Sequence, residues 1–140
     1  MSTAAARAAI LAIAFAAAAP AAACGHCIED KVAAVYDYAI VTRAFDRDHR
    51  VAFFAIDGTL AAGDAAAVTA LVGSARGVDK ASVRVSAELA SLSFAFDQRR
   101  ASLAEVQKQV ERRLKPKGLA LLPLQVMEPP PAAGTRASAR

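Results

Sequence analysis

Six consecutive residues, Val51-Ala52-Phe53-Phe54-Ala55-Ile56, carry no polar side chain and stop at Asp57-Gly58. A run this short, this apolar and closed by a turn pair predicts a buried strand. Its backbone groups need partners, because an unpaired buried N–H or C=O is costly. The chain downstream supplies them in a definite order.

After the turn comes a helical pattern. Asp64 is a candidate N-cap, Val68, Leu71, Val72 and Ala75 share a face, and Gly77 marks the C-terminal end. Val83 and Val85 alternate with Arg84 and Ser86 as a second strand, and a turn near Ala87-Glu88 leads to a third, Leu92-Ser93-Phe94-Ala95-Phe96. Ser102-Leu103-Ala104-Glu105 is a capping box, followed by the stripe Leu103, Val106, Val110 and Leu114, which ends at Lys117-Gly118. Residues 119–126 form the last strand, and Pro123 assigns it to an edge or gives it a break. Strand, helix, strand, strand, helix, strand is the split βαβ or ferredoxin-like α+β sandwich, with a four-stranded antiparallel sheet covered on one face by two helices. All these elements lie within 47–127, so a chain begun near Arg47 is expected to fold by itself. Residues 128–140, beginning Glu128-Pro129-Pro130-Pro131, read as an extended and then disordered tail.

Upstream, residues 24–46 form a separate segment. Both cysteines of the protein and one of its two histidines fall in Cys24-Gly25-His26-Cys27. A single N-terminal helix is predicted to follow over 28–43, from the spacing of Ile28, Val32, Val35, Ala39 and Ile40, with Glu29 and Asp30 in its first turn. The charged run over 43–50 reads as a solvated connection, with His49 as a surface residue. Two thiols separated by two residues can reach one metal ion or close on each other as a disulfide.

Residues 1–23 read as an export signal. Arg7 precedes the uncharged apolar run 8–15, and Pro20 breaks it before Ala21-Ala22-Ala23. The run falls short of the ~20 apolar residues that a membrane span needs. Cleavage after Ala23 would make Cys24 the first residue, so that its thiol and the new amino group sit together. The rival reading is a lipoprotein signal, with Cys24 lipidated and the protein held at a membrane. Export to a periplasmic or secreted location also makes a Cys24–Cys27 disulfide without further role a plain alternative.

The stretch from Gly58 through Asp64, Val68, Leu71, Val72 and Gly77-Val78 to Val83 resembles the heavy-metal-associated domain of copper chaperones and metal-transporting ATPases. That resemblance covers roughly residues 50–126 and implies the same ferredoxin-like fold. The family's loop glycine falls on Gly58 and its Gly-Val on Gly77-Val78, but its two metal-binding cysteines fall on Ala61 and Asp64. Alanine offers no ligand, and a lone aspartate is a hard oxygen donor poorly matched to Cu(I). Soft-metal binding therefore has to come from Cys24 and Cys27: copper between the two thiolates, or zinc with His26, the terminal amine or a second molecule completing the set. His26 as a solvated residue that only tunes the thiols is an equal alternative.

The tetrad Cys-Gly-His-Cys ahead of a helix also resembles the active site of protein disulfide isomerases. Those enzymes place it after a strand and usually beside a tryptophan, and here no strand signal precedes Cys24 and the chain has no tryptophan. The formal charge of +4 is spread among acidic residues, with no basic arm or aromatic platform for nucleic acid. The sequence thus points to a non-enzymatic, exported metal-binding protein whose partners are a copper or zinc ion and another metal-handling protein. A periplasmic thiol-disulfide redox protein, and a plain interaction module that uses the open sheet face or edge with the cysteines idle, are the alternatives.

Overall fold

The structure, a computed structural model, describes residues 27–132. Its elements are α1 (Ile28–Ala33), α2 (Tyr38–Asp46), β1 (Arg50–Asp57), α3 (Ala65–Gly73), β2 (Arg84–Ser86), β3 (Ser91–Phe96), α4 (Leu103–Leu114) and β4 (Ala120–Met127). Short 3-10 turns precede α3 and β2 and follow α4. The strands lie in the order β2-β3-β1-β4 and every neighbouring pair is antiparallel. From β1 onward this is the ferredoxin-like α+β arrangement that the element order predicts.

Side chains alternate across a strand, so Ala52, Phe54 and Ile56 of β1 and Leu92, Phe94 and Phe96 of β3 share one face. There they pack against Val68 and Val72 of α3 and Val106, Val110 and Leu114 of α4. The ring of Phe94 stacks on Phe54 at 5.5 Å and meets Phe96 edge-on at 6.2 Å. α4 begins at the expected capping box: Ser102 N–H donates to Glu105 Oε2 (2.7 Å), and Glu105 N–H donates to Ser102 Oγ (3.3 Å). The chain leaves the turn after α4 through Gly118, whose φ of +69° is open to glycine at little cost.

The other face is covered too. In place of one helix over 28–43 there are two, broken at 34–37. Two residues cause the break. The Val35 carbonyl accepts from Ser93 Oγ (2.8 Å) instead of from a helical N–H. Asp37 is extended (φ −134°, ψ 111°), and its Oδ1 accepts the Ile40 N–H (3.2 Å) as the N-cap of α2. The resulting helix pair buries Val35, Val41 and Ala44 on Val51, Phe53 and Ala95. β3 can be approached closely because its residues on this face, Ser91, Ser93 and Ala95, are small. The open sheet face assumed by the interaction-module reading is thus largely occupied.

Asp37 ties stability to pH. The Ile40 N–H, with the Arg84 guanidinium beside it, holds the Asp37 carboxyl below the usual carboxylate range. A depressed carboxyl stabilises the fold above its unfolded value of about 3.9, and that contribution is lost as pH falls toward the folded value. Asp37→Asn keeps a capping oxygen but does not titrate. Thermal melts between pH 6 and 2 are therefore expected to show the parent losing melting temperature below about pH 4 more steeply than the variant; parallel curves would remove Asp37 from this role.

β4 lies at an edge of the sheet, as Pro123 suggests. Its pairing slips by one residue between Phe53, opposite Gln125, and Phe54, opposite Pro123. Leu124 is the extra residue of this bulge. Among the described residues no helix is long and apolar enough to cross a membrane.

Candidate metal centre

Cys27 is exposed and stands at the N-cap of α1, with its carbonyl accepting from Asp30 N–H (3.0 Å) and Lys31 N–H (3.2 Å). Its thiol makes no capping hydrogen bond, so the sulfur is not consumed in holding the helix. Glu29 and Asp30 follow it, both exposed.

Three contacts set the direction of this segment over the sheet. Lys31 Nζ donates to the Leu89 carbonyl (2.6 Å) in the turn before β3, Ser93 Oγ donates to Val35, and the Tyr36 ring stacks on Phe53 at 6.5 Å. From Val35 back to Lys31 the chain thus runs from the middle of β3 toward the β2–β3 turn. Cys27 lies one helical turn further on. β1 ends at the same turn, where Ile56 N–H donates to the Ala90 carbonyl (2.7 Å), and the 58–64 loop follows directly. Cys27 and the 58–64 loop therefore share one end of the sheet.

The loop offers no metal site of its own. Ala61 presents a methyl group, and Asp64 Oδ2 accepts the Ala61 N–H (3.2 Å), closing the 3-10 turn that leads into α3. Asp64 directly precedes α3, but its side chain does not make the capping bond to that helix expected of an N-cap; being in helical conformation itself, it turns back to the 3-10 turn instead. Gly58 has φ +116°, and a Cβ there would lie 2.5 Å from the Gly118 carbonyl oxygen, so the loop is pressed against the turn that follows α4. Among the described residues no three His, Cys, Asp or Glu side chains converge as a metal cluster.

Of the three predicted donors, Cys27 is described; Cys24 and His26 lie outside the described residues, as do the predicted signal segment 1–23 and the last part of the tail, 133–140. His49 is at the opposite end of the sheet, next to Arg50, which pairs with Phe96. It is not the solvated residue expected from its charged surroundings: its side chain is only 16% exposed, with Nε2 3.9 Å from Asp97 Oδ2. The run over 43–50 is helix as far as Asp46 and then an exposed turn at Arg47 and Asp48 before β1 begins at Arg50. Sequence reasoning also missed Lys31 and Ser93 as the residues that fasten α1. The available signal was Ser93 itself, a small hydroxyl residue between Leu92 and Phe94 in a strand that is otherwise apolar.

No family model and no curated protein matches the sequence. Solved structures with a similar course of chain include oxidized MerP from Ralstonia metallidurans CH34, at 19% identity and TM-score 0.44, covering 54% of this chain and 96% of that one. Another is a copper binding domain from HMA7, a P-type ATPase, at 18% identity and TM-score 0.46, covering 55% and 96%. A third is the CopZ metallochaperone, at 15% identity and TM-score 0.41, covering 51% and 98%. At identities this low, the chemistry of the site rests on its own residues.

Proposed function

We propose that this is an exported, non-enzymatic metal-binding protein that holds or passes on a soft metal ion, copper or zinc, through Cys24 and Cys27. The observation that carries the reading is the position of Cys27: exposed, with its sulfur unused, at the free end of a helix fastened to a folded domain. Cys24 is three residues upstream, a separation that lets two thiolates bind one Cu(I). For zinc, His26 or the amino group of a chain that begins at Cys24 would complete the set. The periplasmic or secreted location rests on the pattern of residues 1–23. A second metal-handling protein is the natural partner, because the end of the sheet that carries Cys27 faces solvent.

The test is metal titration of the reduced protein isolated from the exported fraction. Tight binding of Cu(I) or Zn(II) is expected, and Cys24→Ser or Cys27→Ser should each weaken it by more than the roughly 10–100-fold that loss of an outer-shell contact causes. Ala61→Ser and Asp64→Asn should leave affinity unchanged, since neither position supplies sulfur. If the double serine variant held metal as well as the parent, the proposal would fail. Disulfide exchange on a test substrate, without metal binding by the parent, would put the redox reading in its place.

A further inference from the structure

Between α2 and the end of β4 the surface opens into a groove of about 580 Å³. Tyr36, Tyr38, Phe45 and Met127 line it with Asp46, and Pro130 forms part of its wall. Tyr38 is 74% exposed and Tyr36 42%, so one end of the groove presents open aromatic rings. The other end presents a carboxylate: among the described residues no cation lies within ion-pair distance of Asp46. Glu128, which also borders the groove, already pairs with Arg50 at 3.0 Å. Leu122 is exposed on the same face of the sheet, but it lies opposite Ala55, toward the Cys27 end, and is not part of the groove.

Tyr38 and Asp46 bound α2, and the helical rise sets them about 12 Å apart along its axis. No single side chain covers both. An extended segment does: in a polyproline II helix, residues three apart share one side at a separation of about 9 Å, and the length of an arginine side chain makes up the rest. Prolines dock against aromatic-lined grooves at little entropic cost, because their backbone is already extended. A guanidinium is planar and weakly hydrated, packs on an aromatic ring and pairs with a carboxylate. We propose that this groove docks an extended segment of another protein in which a proline and an arginine stand three residues apart, the proline against Tyr36 and Tyr38 and the arginine at Asp46.

Charge and position support this occupant. Arg47, next to Asp46 in the chain, is turned away to Asp79 at 3.6 Å, so the Asp46 carboxylate is left for a cation from outside. The groove also lies at the end of the sheet where Met127 pairs with Val51, the opposite end from Cys27. A segment seated there leaves the thiol uncovered, and the docking does not rest on metal binding.

The chain has two tyrosines and no tryptophan, and both tyrosines line the groove, so tyrosine emission reports on this site alone. The probes are acetyl-Ala-Pro-Pro-Pro-Arg-Ala-amide and its reverse, acetyl-Ala-Arg-Pro-Pro-Pro-Ala-amide, each titrated into the full chain beside a copy with glutamine in place of arginine. A saturable change in emission at millimolar peptide is expected for at least one of the two orders, with binding about three-fold weaker for its glutamine copy. Tyr38→Ala should weaken binding about five-fold, while Tyr38→Phe, which keeps the ring, stays within about two-fold of the parent. Asp46→Asn should erase the preference for arginine over glutamine, and Leu122→Ser should bind as the parent does. All these side chains are exposed, and unchanged circular dichroism will confirm the fold. The absence of a saturable change with either peptide would overturn the proposal, as would equal binding of the glutamine copies or a preference for arginine that survives Asp46→Asn. Binding seen only in a chain ending at Ala132 would overturn it by assigning the groove to the chain's own C-terminal residues, and an emission change that follows protein concentration instead of peptide would assign it to a second copy.

Discussion

Phe94→Asp is expected to leave the chain unfolded at room temperature, with the cooperative thermal transition and the near-ultraviolet signal of packed aromatics both lost. Phe94 is fully buried at the centre of the main core, between Phe54 and Phe96 and under α3 and α4. An aspartate there has no cation within the core to pair with. An uncompensated buried charge costs about 3–5 kcal/mol, and loss of the ring adds about 3–5 kcal/mol more. A domain of this size has a margin of roughly 5–15 kcal/mol, most or all of which is thereby removed. Phe94→Leu keeps an apolar side chain and should fold, with its melting temperature lowered by several degrees. A folded Phe94→Asp protein with a normal melting curve would mean that the core is not where the sheet and helices place it.

The second large effect concerns the N-terminal helices. A chain begun at Arg47 keeps all four strands, α3 and α4, and from sequence it is expected to fold by itself. The packing changes that expectation. Removing α1 and α2 uncovers Val51 and Phe53, each 1% exposed, together with Ala95, and leaves the Ser93 hydroxyl without the Val35 carbonyl. Burial of a valine or phenylalanine side chain contributes roughly 1.5–3 kcal/mol, so the loss approaches 5 kcal/mol. The shortened chain should unfold at a much lower urea concentration than the chain begun at Cys27, and it should bind hydrophobic dyes through its bared face. Equal urea midpoints for the two chains would show that α1 and α2 rest on the sheet without stabilising it.

Those two effects mark where the sequence was legible. The main core could be read because each of its elements carries a local signal: the Ser102 and Glu105 box, the αL residue Gly118, the stripe Val106, Val110 and Leu114, and the edge proline Pro123. The second face has no such signal. β3 alternates large and small, Leu92, Phe94 and Phe96 against Ser91, Ser93 and Ala95, and that pattern also fits a strand open to water on one side. The better clue was β1. Its unbroken run from Val51 to Ile56 has no polar side for solvent and so demands cover on both faces. The break at 34–37 was hidden for a related reason, because helical spacing runs through it while a single cap at Asp37 and a bond from distant Ser93 decide against continuation. For the site, the sequence shows which residues carry sulfur, but contacts far apart in the chain, Lys31 to Leu89 and Val35 to Ser93, decide toward which end of the sheet they point.

The two borders of the sheet have a consequence for how copies of this protein can meet. β2 is three residues long, too short to recruit a neighbour's backbone. β4 is longer, but Pro123 lacks an N–H and the slip at Leu124 interrupts the row of outward hydrogen-bonding groups. Both borders are thereby poor templates for a further strand, which disfavours ribbon-like polymerisation through the sheet edges. Among the described residues, contacts between copies then fall to exposed side chains such as Cys27, Tyr38 and Leu122, where single substitutions can tune them.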